Sequence, residues 1–441
     1  MESTRITADA SSSLGTIRRL NGVCNTTPLF GTDHPQGSVT AELIKALKIP
    51  MTRFHDASLE NRGLQLVDVS RIFPIWTADI NNPENYLFSE TDDYIAACLE
   101  TGSKIEYRLG ESIEYAPRKY RVTPPADYER WADICVNIVR HYNEGWANGF
   151  HHGIEYWSIW EEPNTVPRLW TGTIEDYCGM YLVAARKLKE TFPHLKIGGP
   201  NIGFVEESME TFLAFCREHD APLDFCSFTA YTRDPENFLL WSKRLAEWLA
   251  KYGFENSEIV LSEWHYGPLS WPALLEEPEH AEERYAELNG INSAACTAHT
   301  LCMLQDSPVS MACYYSMTSR SFGLFDGPGV PNKNYYAMRA FAEQADTTER
   351  IAVTPQPTPS VRAIGGRNAD GSLTLLISCF KSGAMTIEVD TGDFAWNEFS
   401  VRVINEVRDL SEDHALVAKD GNTLRIKKDR PGSAVYLIKL S

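Results

Sequence analysis

Three glutamates carry most of the chemical information in this chain. Glu161 and Glu162 close the run Tyr156-Trp157-Ser158-Ile159-Trp160, and Pro163-Asn164 follows them. Glu263 closes a second run, Ile259-Val260-Leu261-Ser262, and Trp264 follows it. Each run reads as a buried strand that ends in a carboxylate beside a tryptophan. A single glutamate in such a place is ordinarily a solvated loop group. Two of them, at the ends of two strands of one sheet, suit cleavage of a glycosidic bond. One carboxyl protonates the departing oxygen, while the other attacks the anomeric carbon or activates water.

The surrounding pattern predicts how these groups are positioned. Eight apolar segments, at 18–25, 49–56, 104–108, 154–160, 195–200, 223–229, 258–264 and 311–317, alternate with segments of helical periodicity. Such alternation implies crossover connections and a parallel sheet. Eight units over this length predict a (β/α)8 TIM barrel. An open doubly wound sheet is disfavoured, because no Gly-x-Gly-x-x-Gly follows the first strand. Pro124 and Pro125 are expected in the opening turn of a long helix. Thr173 and Asp176 are expected to form a capping box. Segment 281–304 reads as one long helix. After Pro355, Pro357 and Pro359 the texture changes to short alternating strands separated by Asp370-Gly371, Thr391-Gly392 and Asp420-Gly421. The expected organisation is therefore a barrel at 17–348 and an all-β sandwich at 349–441, with 1–16 a possible strand of the sandwich.

Composition narrows the function. The formal net charge of −19 disfavours nucleic-acid phosphates and anionic membranes. Eleven tryptophans and 19 tyrosines supply rings that serve a core or stack on sugars. Ten cysteines occur without a Cys-x-x-Cys pair and mostly in apolar runs, which predicts buried reduced thiols. The N-terminus carries no apolar signal core, and no apolar run approaches a membrane span. These features point to a cytoplasmic protein. No cofactor or metal is expected. His151-His152 lacks the spacing of a helical zinc site, and neither a phosphate-binding Gly-Lys-Ser/Thr loop nor a Gly-x-Ser-x-Gly elbow is present.

In such a barrel the C-terminal strand ends face one pocket. They carry Asn25, Arg53, His55, Arg108, Glu161, Glu162, Tyr231, Glu263, His265 and Tyr315. Arg53 is expected to hold Glu263 charged and oriented, and Tyr231 to donate to it unless it is an ordinary buried tyrosine. His55 and His265 suit either sugar hydroxyls or hydrogen-bonded structural roles. Among Trp76, Trp170, Trp241, Trp264, Trp271 and Phe322, Trp264 is the foremost sugar-platform candidate. The loop 319–327, with Phe322, is placed to close the pocket.

The chain also resembles glycoside hydrolase family 39, in the clan of barrel hydrolases with catalytic glutamates after strands four and seven. The resemblance runs through Arg53-Phe54-His55, Trp131, His141-Tyr142, 154–164, Ile197-Gly198-Gly199-Pro200, Asp224-Phe225, Tyr231 and Ser262-Glu263-Trp264. It implies a retaining mechanism, with Glu162 as acid/base and Glu263 as nucleophile. Known members include β-xylosidases and α-L-iduronidases. Three positions depart from the pattern. Glu161 stands where an asparagine is usual, Arg108 where relatives often have glutamate, and Thr229 where histidine is frequent. An Arg108–Glu161 ion pair is expected to restore neutrality, since strands three and four are neighbours.

The expected activity is exo-cleavage of a β-xyloside or related β-pentoside or β-glucoside from short oligosaccharides or small glycosides. A uronide-specific glycosidase, transglycosylation and a non-catalytic carbohydrate-binding protein are the alternatives. The glycoside is the expected partner, and self-association is possible.

Overall fold

The computed structural model describes residues 2–25, 35–55, 65–267, 281–318, 322–327, 329–354, 359–414 and 416–441. The first strand, β1 (Glu2–Asp9), belongs to the C-terminal sheet. The next eight close a parallel barrel in chain order: β2 (Gly22–Cys24), β3 (Met51–Phe54), β4 (Lys104–Leu109), β5 (Tyr156–Ile159), β6 (Lys196–Gly203), β7 (Phe225–Thr232), β8 (Glu258–Tyr266) and β9 (Val309–Tyr314). Pairing of β2 with β9 closes it. Both faces of these strands are covered, so they read as continuous apolar runs such as Ile259-Val260-Leu261.

The helices are set by local signals. Asp127 accepts from Arg130 N at 3.0 Å and starts the helix Tyr128–Glu144, which Gly145 ends at φ 74°. Pro124 and Pro125 therefore precede the helix rather than open it, because the capping carboxylate lies beyond them. Thr173 and Asp176 form the reciprocal capping box of the helix Ile174–Thr191. The segment expected as one helix at 281–304 is two, Ala281–Asn289 and Ile291–Met303, parted at Gly290. Gly290 is extended there and is the N-cap of the second helix.

Beyond the barrel come a short hairpin, β10 (Phe325–Gly327) and β11 (Val330–Pro331), and then β12 (Glu349–Thr354), β13 (Val361–Arg367), β14 (Leu373–Ser382), β15 (Met385–Asp390), β16 (Phe399–Ile404), β17 (Asp409–Glu412), β18 (Val417–Asp420), β19 (Thr423–Lys428) and β20 (Gly432–Leu440). With β1 the strands from β12 onward form one ten-stranded sheet in the order β17-β16-β20-β14-β13-β12-β1-β15-β19-β18. The sheet curls, so Ile6, Ile387 and Leu424 from one half meet Leu375, Val401 and Ile438 from the other in a common core. The two layers are continuous through the β1–β12 pair. The sheet docks on the barrel through the helix Ile291–Met303, where Ser378 Oγ donates to Ala295 O at 2.8 Å.

All ten cysteines are free and buried. Among the described residues no helix is long and apolar enough to cross a membrane.

Candidate active site

The site begins with a sharp turn at the end of β5. Trp160 and Glu162 both have left-handed backbones, at φ 64° and 33°. That region is strained for non-glycine residues and persists only where neighbours hold it. Here Trp160 N donates to Leu109 O at 2.6 Å, Asn201 Nδ2 donates to Trp160 O at 2.9 Å, and Trp160 Nε1 donates to Leu169 O at 2.9 Å. Gly110 makes room for the turn: a Cβ there would lie 2.9 Å from Trp160 Cα. The turn sends the Glu162 carboxyl into a cavity of about 380 Å³. Glu263 lines the same cavity, along with His55, Tyr231 and Tyr315.

The two carboxyls stand in opposite environments. Burial pushes Glu162 up, and the charges of Glu263 and Glu161 push it further, to about 7. Thr229 Oγ1 donates to one of its oxygens and Thr165 Oγ1 to the other, the latter at 2.7 Å; both bonds oppose that rise. Burial would also raise Glu263, but His55, then Arg53 and Tyr231, outweigh it and hold this carboxyl well below the usual range. His55 Nε2 donates to Glu263 Oε1 at 2.5 Å, Arg53 Nη1 to Oε1 at 3.1 Å, and Tyr231 OH to Oε2 at 2.5 Å. Two groups with pKa values driven apart in one cavity can divide acid and nucleophile roles.

Arg53 organises the floor beneath them. It is fully buried, donates through Nη2 to Glu161, and its Nε lies 3.5 Å from Glu106 Oε1. His55 Nδ1 lies 3.2 Å from Glu161 Oε2. His55, Glu161 and Glu263 offer atoms within 4.8 Å of one another, a spacing compatible with a cation. The Arg53 guanidinium bonds both carboxylates there.

Several expected contacts are corrected. Arg108 does not pair with Glu161. Its Nη2 donates to Asp68 Oδ1 at 3.1 Å, to Ser112 Oγ at 3.2 Å and to the His55 carbonyl. Register explains this, because Arg108 lies opposite Ser158, three residues before Glu161. At about 3.3 Å per residue, strand adjacency alone cannot bring them together. Trp264 is fully buried, 5.7 Å from Phe238 and 5.2 Å from Tyr314 by ring centroids, and does not line the cavity. Successive strand residues face opposite sides, so an inward Glu263 puts Trp264 against the helical layer. His265 faces inward but is fully buried. Its Nδ1 contacts Tyr266 O at 2.7 Å, its ring packs on Tyr314 and Phe322, and burial lowers it to about 4. Phe322 is buried behind Tyr231 and Tyr315 rather than against the cavity. Trp157 and Trp160 are buried and do not line the cavity either; they hold the β5 end in place. Trp271 and 319–321 lie outside the described residues. Arg53, His55 and Tyr231 do converge on Glu263, and Glu161 lies beneath it.

Sequence reasoning missed four contributors: Glu106, Asp68, Thr165, and Thr229 as a partner of Glu162. Glu106 was accessible in principle, because it faces Arg53 in parallel register.

A closed parallel barrel with two such carboxyls at the mouths of its fourth and seventh strands has the architecture of the barrel glycoside hydrolases. The family model of glycosyl hydrolases family 39 matches residues 62–253. A β-xylosidase of Geobacillus stearothermophilus is 40% identical over 120 residues, 26% of this chain and 23% of that protein. A β-xylosidase of Caldicellulosiruptor saccharolyticus is 25% identical over 331 residues, 67% of this chain and 64% of that protein. The chain thus matches less than two thirds of the length of either relative. These matches support glycoside hydrolase family 39 as the chain's family. The fold is shared with a glucosidase from Croceicoccus marinus (22% identity, TM-score 0.79, covering 100% of this chain and 99% of that one). It is shared too with a monomeric β-xylosidase from Caulobacter crescentus CB15 (15% identity, TM-score 0.70, covering 100% and 99%).

Proposed function

We propose that this protein is a retaining exo-glycosidase that releases a terminal neutral β-linked sugar, a β-xyloside or a related β-pentoside or β-glucoside. Glu162 protonates the departing oxygen while Glu263 attacks the anomeric carbon and forms a glycosyl-enzyme. Glu162, now ionised, takes a proton from water, which releases the sugar with its configuration retained. The observation that carries this reading is the opposed proton affinity of the two carboxyls in one cavity. A donor raised to about 7 keeps its proton near neutrality, and a nucleophile tied to Arg53, His55 and Tyr231 stays ionised.

A neutral sugar is favoured over a uronide because the two buried arginines of the site are committed. Arg53 binds Glu161 and Glu263, and Arg108 binds Asp68. The β-xylosidase relatives support the xyloside assignment. The glycoside is the protein's partner, and a cytoplasmic setting suits short glycosides better than polymers.

A panel of aryl glycosides tests the proposal. β-Xylosides, β-glucosides and β-glucuronides are compared, with product anomers resolved by NMR. The expected result is turnover of a neutral β-glycoside with retention, and a fall in kcat of about a thousandfold for both Glu162→Gln and Glu263→Gln on substrates with poor leaving groups. Turnover of none of the sugars, or net inversion, would refute it.

A further inference from the structure

The cavity has two chemically distinct halves. His55, Tyr231, Glu263 and Tyr315 line the inner half. On the side of Glu162 the wall is Ile113, Tyr115, Leu169 and Phe204, contributed by the connections after β4, β5 and β6. Phe204 is 38% exposed, and its ring meets Trp241 edge-on at 5.3 Å. Trp241 in turn meets Phe238 at 6.3 Å. Phe204 is therefore a propped aromatic face at the cavity edge, with one side still open.

Polar groups in this outer half are already engaged. Asn164 Nδ2 donates to Gly203 O at 3.0 Å and to Glu206 Oε1 at 2.7 Å, while Asn164 Oδ1 accepts from Gly203 N at 3.0 Å. Both amide hydrogens of Asn164 are used. Thr165 and Thr229 give their hydroxyl protons to Glu162. Glu206 is thus itself engaged, and it and Arg168 form the rim of the cavity.

A departing sugar presents hydroxyls around its ring, and each loses water on entry and needs a partner. An apolar ring needs none and gains from burial against Ile113, Tyr115, Leu169 and Phe204. We propose that the leaving-group side of this site takes an apolar, ring-bearing aglycone in preference to a second sugar, with Phe204 as its platform. The substrate class is then small glycosides of hydrophobic alcohols. The inference rests on the reading of Glu162 as proton donor, because the donor marks the side from which the leaving group departs.

The test compares benzyl β-xyloside with xylobiose, and benzyl β-glucoside with cellobiose. Benzyl alcohol is a poorer leaving group than a sugar hydroxyl, so intrinsic reactivity works against the expected order. The predicted kcat/KM favours the benzyl glycoside by about tenfold or more. Phe204→Ala should cut that preference about tenfold, with Phe204→Leu in between. Equal or reversed preference, or a ratio unmoved by Phe204→Ala, would overturn the proposal. Calorimetric binding of the same ligands to Glu162→Gln reads the preference without turnover. If the native protein hydrolyses none of these glycosides but the benzyl ligand binds more tightly, the catalytic reading fails, and what stands is a preference for an apolar ring at Phe204 rather than for a leaving group. Turnover with the disaccharide preferred defeats only the aglycone preference.

Discussion

Arg53 and Glu161 form an ion pair in which both side chains are fully buried beneath the cavity. The pair places a negative group close below the proton-donor candidate without leaving its charge unanswered. Arg53 also reaches Glu263, so one guanidinium serves the carboxylate that raises Glu162 and the carboxylate proposed as nucleophile.

Glu161→Gln should separate these effects. Loss of the charge leaves Arg53 with Glu106 and Glu263, so the expected destabilisation is about 2 kcal/mol, below that of an isolated buried pair that loses a partner. Urea unfolding at neutral pH measures it. Because Glu161 raises Glu162, the basic limb of kcat/KM should move to lower pH. An unmoved limb would mean that the Glu161 charge is not felt at Glu162.

Thr229→Val should shift the same limb the other way. The Thr229 hydroxyl bonds the ionised form of Glu162 and lowers its pKa from where burial would put it. Without that bond the proton is held more tightly, and the basic limb should move to higher pH. A shift to lower pH in the rate profile would contradict this arrangement.

Glu162 should also cost stability as pH rises. Its folded value of about 7 exceeds the ordinary 4.5, so the unfolded chain loses the proton first. Stability therefore falls between those two values and levels off above them. At 1.36 kcal/mol per unit the full effect is about 3 kcal/mol. Thermal melts of Glu162→Gln and the native protein should diverge across this window, with the variant increasingly the more stable. A constant difference from pH 5 to 8 would argue against a raised Glu162.

What was legible in the sequence follows from which forces act locally. Strand periodicity and the polar ends of the runs gave away the barrel, and the strand ends put Arg53, Tyr231 and Glu263 at one mouth of it. Strand parity excludes Trp264, whose place one residue after Glu263 turns it outward. Arg108 was paired with the wrong carboxylate because its true partner, Asp68, lies in an irregular connection with no periodicity to announce it. Phe322 and His265 are second-layer packing, a distinction that depends on side-chain depth. The apolar wall at Phe204 was hidden because three separate connections build it, and only the closed barrel brings them together.

The most direct test of the account is covalent trapping of the glycosyl-enzyme. A 2-deoxy-2-fluoro β-xyloside or β-glucoside with an activated leaving group should slow the second step and leave the sugar attached. Peptide mass spectrometry of the native protein is predicted to find one fluorosugar on the peptide that contains Glu263, and none in Glu263→Gln. A label on another residue, or unlabelled protein that nonetheless turns over substrate with inversion, would contradict Glu263 as nucleophile and with it the division of labour between Glu162 and Glu263.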